Sequence, residues 1–279
     1  MSTGTAVGPG LAAVSTTLTN IAYLRQHDAA AQLPVLSLRR PLHSARLLLS
    51  DRSWLLGFAM ETAGFLLYAA ALALASLALV QSIAAGGIGV LAFVSARLAR
   101  RPLSRHELIG VVLSVVGLVA LGISLAAGSG KGGGGETGPI LLWLGLTAGV
   151  AIALVALGKR LGAAVADGAA GGLFFSIGDI STKLATVGGA RTAFLVPLVG
   201  GYTLGTALLQ LGYQAGGALT VAGIATLLTN ALPIAAGTVV LDEPVPGGVL
   251  GGLRILAFVA VILGAVLLAR PGKQSETPR

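Results

Sequence analysis

Apolar runs of about twenty residues recur along almost the whole chain, and they constrain its fold more than any other feature. A helix needs roughly 20 mainly apolar residues to cross the hydrocarbon core of a bilayer. Because backbone groups cannot remain unpaired in lipid, runs of this length must form helices. We predict nine spans, at residues 7–24, 53–76, 78–98, 107–127, 139–158, 161–186, 192–213, 217–241 and 248–269. The fold class is therefore an all-α membrane protein.

The composition excludes an ordinary soluble domain. Hydrophobic residues make up 55% of the 279 residues and charged residues only 10%, whereas soluble domains have roughly 25% charged residues. The formal net charge is +8, but the basic residues lie in short loops between apolar runs, so we expect no nucleic-acid binding. The absence of cysteine excludes disulfides and thiolate metal sites.

The segment between the first two spans is too charged to cross the membrane. A central arginine costs about 2.5–3.5 kcal/mol in a spanning helix. From Pro41 onward, Leu42, Ala45, Leu48 and Leu49 share one helical face. We therefore predict one interfacial helix here, lying in the membrane plane. The arginines of the segment are Arg25, Arg39, Arg40, Arg46 and Arg52.

The two halves of the chain resemble each other. A constant offset of 142 residues maps Pro102 onto Pro244 and Gly110 onto Gly252, with helix boundaries in the same register. We predict two five-helix repeats, residues 1–127 and 139–270, with the interfacial helix as the second member of the first repeat. A Gly-rich linker (128–138) joins them, and residues 271–279 form a disordered cytoplasmic tail.

Basic loops set the predicted orientation. Assigning the arginine-rich loops to the cytoplasm places the N-terminus outside and the C-terminus inside the cytoplasmic (inner) membrane. Equivalent helices are then an odd number of spans apart, so the repeats are inverted. Inverted repeats are a recurrent architecture of secondary transporters.

Charged residues within spans are costly and therefore need an explanation. Glu61 lies near the middle of the second span, and it is either a helix–helix hydrogen-bonding residue or a proton or cation site. Asp179 and Lys183 are four residues apart, in the favourable order for a helical ion pair. Arg254 is a second candidate partner for Asp179. We assign these four residues to ion pairing or ion coupling.

Polar residues also follow the faces of two later spans. Thr203, Thr206, Gln210 and Tyr213 are spaced to share one face. Such a stripe either forms hydrogen bonds between packed helices or lines a water-filled cavity. Thr226 and Asn230 precede Pro233, which favours either a broken helix lining a substrate path or a tolerated kink. The predicted substrate-binding residues are Glu61, Gln81, Thr203, Thr206, Gln210, Tyr213, Thr226 and Asn230.

The sequence contains no grouping typical of catalysis. We find no Ser/His/Asp set, no paired acids and no histidine metal motif, and His27, His43 and His106 lie in or beside predicted cytoplasmic loops. We therefore expect no enzymatic activity, no cofactor and no metal centre.

Four stretches of the chain resemble the drug/metabolite transporter superfamily, in its EamA-like branch. They are residues 57–85, 100–122, 178–183 (GDISTK) and 226–270, the last containing TNALPIAAGTVVLDEPVPGG. This resemblance implies a central cavity between inverted five-helix bundles and alternating access driven by exchange or an ion gradient. The charged first loop and the nine spans look most like the NIPA-like magnesium transporter branch.

The predicted function is secondary transport of a small solute or ion. The alternatives are a magnesium or other divalent cation transporter of NIPA-like type, and a non-transporting membrane scaffold or assembly partner. A channel would need a continuous polar pore. The expected partners are the lipid bilayer and the transported solute or ion, and a homodimer is an open alternative.

Overall fold

Every described element of the chain is a helix. The computed structural model describes residues 4–74, 83–84, 87–98, 102–127, 135–185, 189–241 and 247–269. A 3-10 helix at Gly189–Phe194 precedes α9, and the described residues contain no strand. The α-helices in chain order are α1 (Gly4–Gln32), α2 (Pro41–Ser50), α3 (Arg52–Leu74), α4 (Gly87–Leu98), α5 (Arg105–Ala127), α6 (Thr137–Ala156), α7 (Gly158–Leu161), α8 (Ala163–Ala185), α9 (Leu195–Ala215), α10 (Ala218–Val240) and α11 (Val249–Ala269).

Five of the described helices are long and apolar enough to cross a membrane. They correspond to α6, α8, α9 with its preceding 3-10 helix, α10 and α11. Helices α3 and α5 are each 23 residues long, which also exceeds the roughly 20 residues that a crossing needs. The chain is a multi-pass helical membrane protein, and the count of nine crossings stays a prediction.

Helix α1 differs from the predicted first span, because it continues to Gln32 instead of ending at Leu24. At 1.5 Å per residue, its 29 residues extend about 43 Å, which exceeds the ~30 Å hydrocarbon thickness. Arg25 and Asp28, which predicted a loop, are exposed on the extra turns. His27 is therefore a helical residue and not a loop residue.

Helix α8 packs against α6, α9 and α10. Glycines bring these helices close: a Cβ on Gly172 would lie 2.7 Å from the Ala225 carbonyl oxygen of α10. A Cβ on Gly201 of α9 would lie 2.6 Å from the Phe174 carbonyl oxygen of α8. Small residues at such crossings let backbones approach closely, as in other membrane helix pairs.

Helices α5 and α11, which the offset relates, pack against each other. A Cβ on Gly110 would lie 3.2 Å from the Gly264 carbonyl oxygen, and one on Gly264 would lie 3.0 Å from the Gly110 carbonyl oxygen. Helix α5 begins with a capping box, in which Glu107 Oε2 accepts hydrogen bonds from the Ser104 backbone N–H and hydroxyl, both at 2.8 Å.

The outer surface is apolar and several polar side chains are inside. Leu142 and Leu146 of α6 and Ile255 and Leu256 of α11 are more than 60% exposed, as expected for surfaces that contact lipid. In α2, Leu48 is buried while Leu42 is exposed. Placement of α2 in the membrane interface stays a prediction. Most of the predicted linker and the whole predicted tail lie outside the described residues.

Candidate functional site

Helix α1 carries a line of buried polar side chains. Ser15, Asn20 and Gln26 are each at most 6% exposed. Asn20 donates to the Thr16 carbonyl of its own helix at 2.7 Å, while its Oδ1 atom has no hydrogen-bond partner among the described residues. Since buried polar atoms in a membrane helix are costly, this face of α1 needs either protein partners or a ligand.

Glycines fit α3 against this polar face of α1. Gly57 and Gly64 lie one turn on either side of Glu61. A Cβ on Gly57 would lie 2.9 Å from Gln26 Cγ. The Ser15 hydroxyl donates to the Gly64 carbonyl oxygen at 2.6 Å. The two helices therefore approach most closely around Glu61, and the Glu61 side chain faces α1.

The central feature of the site is a hydrogen-bonded chain of three side chains from three helices. Gln26 of α1 donates through Nε2 to Glu61 Oε2 of α3 at 2.7 Å. Gln210 of α9 donates through Nε2 to Gln26 Oε1, also at 2.7 Å. Both amides are completely buried, and Gln210 Oε1 has no partner among the described residues. The chain thus links the first half of the sequence to the second.

Aromatic groups surround this chain. Tyr213, one turn beyond Gln210, is 1% exposed, and its hydroxyl has no hydrogen-bond partner among the described residues. Its ring meets the His27 ring edge-on, with centroids 5.6 Å apart. Tyr23 of α1 and Tyr213 of α9 are in the neighbourhood of Glu61. The amide of Gln26 is the described hydrogen-bond partner of the Glu61 side chain.

One end of α1 is tied firmly to α9 by Gln214. Its Nε2 atom donates to the carbonyl oxygens of Ala30 at 2.8 Å, Leu33 at 3.2 Å and Pro34 at 3.2 Å. Its Oε1 atom accepts from the Leu36 backbone N–H at 2.9 Å. These carbonyls lie at the end of α1 and just beyond it, where a helix leaves carbonyl groups without intrahelical partners. Gln214 is therefore a structural residue that fixes the α1 terminus.

The predicted ion-pairing residues separate into two places. Asp179 accepts a 2.6 Å hydrogen bond from the Tyr202 hydroxyl, and the Lys183 side chain lies outside what the structure describes. Arg254 instead donates to Ser124 Oγ at 3.0 Å and the Ser124 carbonyl at 3.3 Å. Each of these two side chains thus has its own described partner, and an ion pair between Arg254 and Asp179 stays a prediction. Arg254 lies between α11 and α5, whereas Asp179 lies on α8.

The remaining predicted residues are more dispersed. Thr203 is exposed, while Thr206, Thr226 and Asn230 are half-buried. Asn230 donates to the Thr226 carbonyl of its own helix at 2.7 Å. Gln81 lies outside the described residues. Of the predicted substrate-binding residues, the chain of hydrogen bonds joins Glu61 and Gln210, with Tyr213 beside them.

Helix α10 continues through Pro233 from Ala218 to Val240. Its geometry therefore favours the tolerated kink over a broken helix at this proline. Asn230, one turn before it, donates to the Thr226 carbonyl of its own helix, the local side-chain-to-backbone bond that polar residues commonly make in helices.

A groove of about 690 Å³ lies apart from these polar residues, beside α4 and the start of α5. Its lining is almost entirely apolar, which suits a lipid chain better than a polar solute. Its residues are Gly89, Ala92, Phe93, Ala96, Arg97, Pro102, Leu103, Leu108 and Val111. No group of three His, Asp or Glu side chains suited to a metal ion occurs within the described ranges.

Gln26 and Tyr23 are absent from the predicted site: Gln26 falls in the segment predicted as a loop, and Tyr23 lies in the predicted first span, whose polar residues were not assigned to one face. A usable signal was present: Thr16, Asn20, Tyr23 and Gln26 are spaced by four, three and three residues, which places them on one helical face. The same pattern had been recognised in the seventh span.

Fold and site together define a multi-pass, all-helical membrane protein with a buried polar chain between its helices. Comparison with curated proteins finds similarity to one called "Probable magnesium transporter NIPA9", from Arabidopsis thaliana. The two are 27% identical over 280 residues, covering 89% of this chain and 78% of the relative. No protein-family description matches the chain, and no solved structure matches it.

Proposed function

We propose that the protein is a secondary transporter that moves a small solute or ion across the cytoplasmic membrane by alternating access. The observation that carries this proposal is the hydrogen-bonded chain Glu61–Gln26–Gln210, which joins two buried amides to a half-buried carboxylate in a membrane helix. Buried ionisable groups in membrane helices typically mark substrate, ion or proton pathways. The similarity to a probable magnesium transporter supports a transporter over an enzyme.

Helix packing supports the proposed inverted repeats. Helix α1 packs along α3 as α8 packs along α9, and α5 packs on α11, its counterpart in the offset alignment. This packing favours α1 as the counterpart of α8, whereas the predicted five-helix repeats pair α8 with the interfacial helix α2. Glu61 and Gln210 then belong to opposite repeats, and alternating access would change the contact between them.

The decisive experiment is a transport screen with protein reconstituted in lipid vesicles. Uptake of inorganic cations, amines and amino acids is measured with and without an imposed pH gradient. We expect vesicles with the wild-type protein to take up one solute class saturably, and vesicles without protein to show no such uptake. The Glu61→Gln variant should change the rate or extent of this uptake. The matched control is Thr62→Val, since Thr62 is exposed and bonds only its own helix, at the Phe58 carbonyl. Absence of saturable uptake or binding for every class would favour the scaffold alternative.

A second candidate function is transport of magnesium, favoured by the relative's name. Mg²⁺ demands octahedral oxygen coordination and usually keeps several waters, being held by one or two carboxylates. We infer that Mg²⁺, as a substrate, would pass the site largely hydrated. Uptake reported by a magnesium-sensitive dye tests this, with hexaamminecobalt(III) as a mimic of the hydrated ion. Uptake that the mimic inhibits supports the magnesium alternative, and absence of Mg²⁺ uptake rejects it.

A further inference from the structure

The direction of the hydrogen bonds in the buried chain is set by Glu61. An ionised carboxylate can only accept hydrogen bonds, so Gln26 must turn its NH₂ group towards Glu61. Its Oε1 atom then faces Gln210, which must in turn direct its own NH₂ group to Gln26. The Gln210 carbonyl oxygen is thereby left at the far end of the chain, without a partner among the described residues.

Protonation of Glu61 by a proton from bulk water removes this constraint. The neutral carboxylic acid has an O–H donor and can donate to Gln26 Oε1. Gln26 then turns by half a rotation, its NH₂ group donates to Gln210 Oε1, and Gln210 presents N–H donors at the far end. The number of hydrogen bonds is unchanged, while every bond in the chain runs in the opposite direction.

We propose that Gln26 and Gln210 act as positioning residues, forming a relay that transmits the protonation state of Glu61 from α3 through α1 to α9. With Glu61 ionised, Gln210 offers an acceptor at the far end of the chain. With Glu61 protonated, Gln210 offers a donor there. This inference deepens the proposed function, because it identifies the proton as the species that regulates the contact between the two repeats.

The surroundings of Glu61 fit a carboxyl group that exchanges its proton. The titratable side chains that face it among the described residues are Tyr23 from α1 and Tyr213 from α9. Asp179 on α8 is also in the neighbourhood of Tyr23. No described basic side chain forms an ion pair with Glu61. The carboxylate is held by an amide, which can bond to either protonation state.

The relay also requires that its neighbours be fixed. Gln214, one turn further along α9, bonds four backbone groups of residues 30–36, so its orientation does not depend on Glu61. It holds α1 against α9 while the amides of Gln26 and Gln210 turn. Gln214 is consequently an internal control for the relay.

The test is infrared difference spectroscopy of vesicle-reconstituted protein with ¹³C-labelled glutamine, recorded between acidic and alkaline pH, with no substrate present. We expect one carboxyl band, absent in Glu61→Gln, to titrate together with glutamine amide bands. In Gln26→Leu that carboxyl band should still titrate, while the component assigned to Gln210 should no longer follow it. The amide band of Gln210 is identified as the band that is lost in Gln210→Leu. The amide band of Gln214 should not change between acidic and alkaline pH.

Three results would overturn the relay: a Glu61 carboxyl band that does not titrate, glutamine bands that do not move when it does, or a Gln210 component that still follows pH in Gln26→Leu. If Gln26→Leu does not fold, Gln210→Leu decides, since the Gln26 band should still follow pH in that variant. The infrared test needs no solute, so it can succeed even if the transport screen finds no substrate. Likewise, a failed infrared test would reject the relay without rejecting transport.

Discussion

The contact between α8 and α10 offers a sharp test of the packing. In Gly172→Ala, the new Cβ would lie 2.7 Å from the Ala225 carbonyl oxygen, 2.8 Å from Ala225 Cα and 3.0 Å from Leu228 Cβ. The first distance is 0.7 Å short of the 3.4 Å at which ordinary van der Waals contact begins. All three atoms are fixed by the α10 backbone, so the helices must separate.

Overpacking of this kind typically costs about 1–3 kcal/mol. The matched control is Gly145→Ala on α6, where a Cβ would meet nothing within 4 Å. There alanine should stabilise the helix by up to about 1 kcal/mol, because glycine is the poorer helix former. We therefore expect the two variants to differ by roughly 1–4 kcal/mol in free energy of unfolding.

The difference can be measured by reversible unfolding in mixed micelles with increasing SDS, followed by circular dichroism or tryptophan fluorescence. Gly172→Ala should unfold at a lower SDS fraction than the wild type, and Gly145→Ala at the same or a higher one. Equal midpoints for the two variants would refute the α8–α10 contact as described, since only one of them introduces a clash.

Further predictions concern the site, the termini of two helices and the topology. Glu61→Gln should insert normally and retain solute binding or exchange but lose pH-driven accumulation, and wild-type pH dependence of uptake would assign Glu61 a purely structural role. Ser104→Ala should destabilise the start of α5 by about 1 kcal/mol in SDS unfolding, because it removes the N-cap, and Ser104→Thr should restore most of it. Gln214→Leu should increase amide hydrogen exchange at residues 30–36, and unchanged exchange there would contradict its role in fixing α1. Single cysteines at 128 and 279 of this cysteine-free chain should label from outside and from the cytoplasm respectively, and labelling from one side would reject nine spans.

Helix positions could be predicted well from the sequence, because bilayer thickness and backbone hydrogen bonding leave little freedom. The predicted spans 217–241 and 248–269 agree closely with α10 (Ala218–Val240) and α11 (Val249–Ala269). Helix α1 is an exception, because the charged residues of its last turns led to the prediction of a loop there. Such turns can remain helical beyond the hydrocarbon, where water solvates Arg25 and Asp28.

The site could be predicted only in part. Glu61, Gln210 and Tyr213 could be selected individually, because each is polar within an apolar span. Their connection through Gln26 could not, since Gln26 and Gln210 are 184 positions apart. The contacts of Asp179 with Tyr202 and of Arg254 with Ser124 could not be predicted for the same reason: membrane depth can be read from sequence, whereas the helix that a side chain faces depends on packing.

The polar face of α1 also has a consequence for how the protein is made. Helix α1 leaves the ribosome before α3 and α9, it is not among the five helices that are clearly long and apolar enough to cross a membrane, and its buried Gln26 bonds Glu61 of α3 and Gln210 of α9. During synthesis the Gln26 amide group can bond Glu61 once α3 has been made, but its carbonyl oxygen lacks this partner until α9 has followed. Helix α1 therefore reaches its final environment long after its own synthesis, and variants that weaken α9 should be degraded with α1 incompletely integrated.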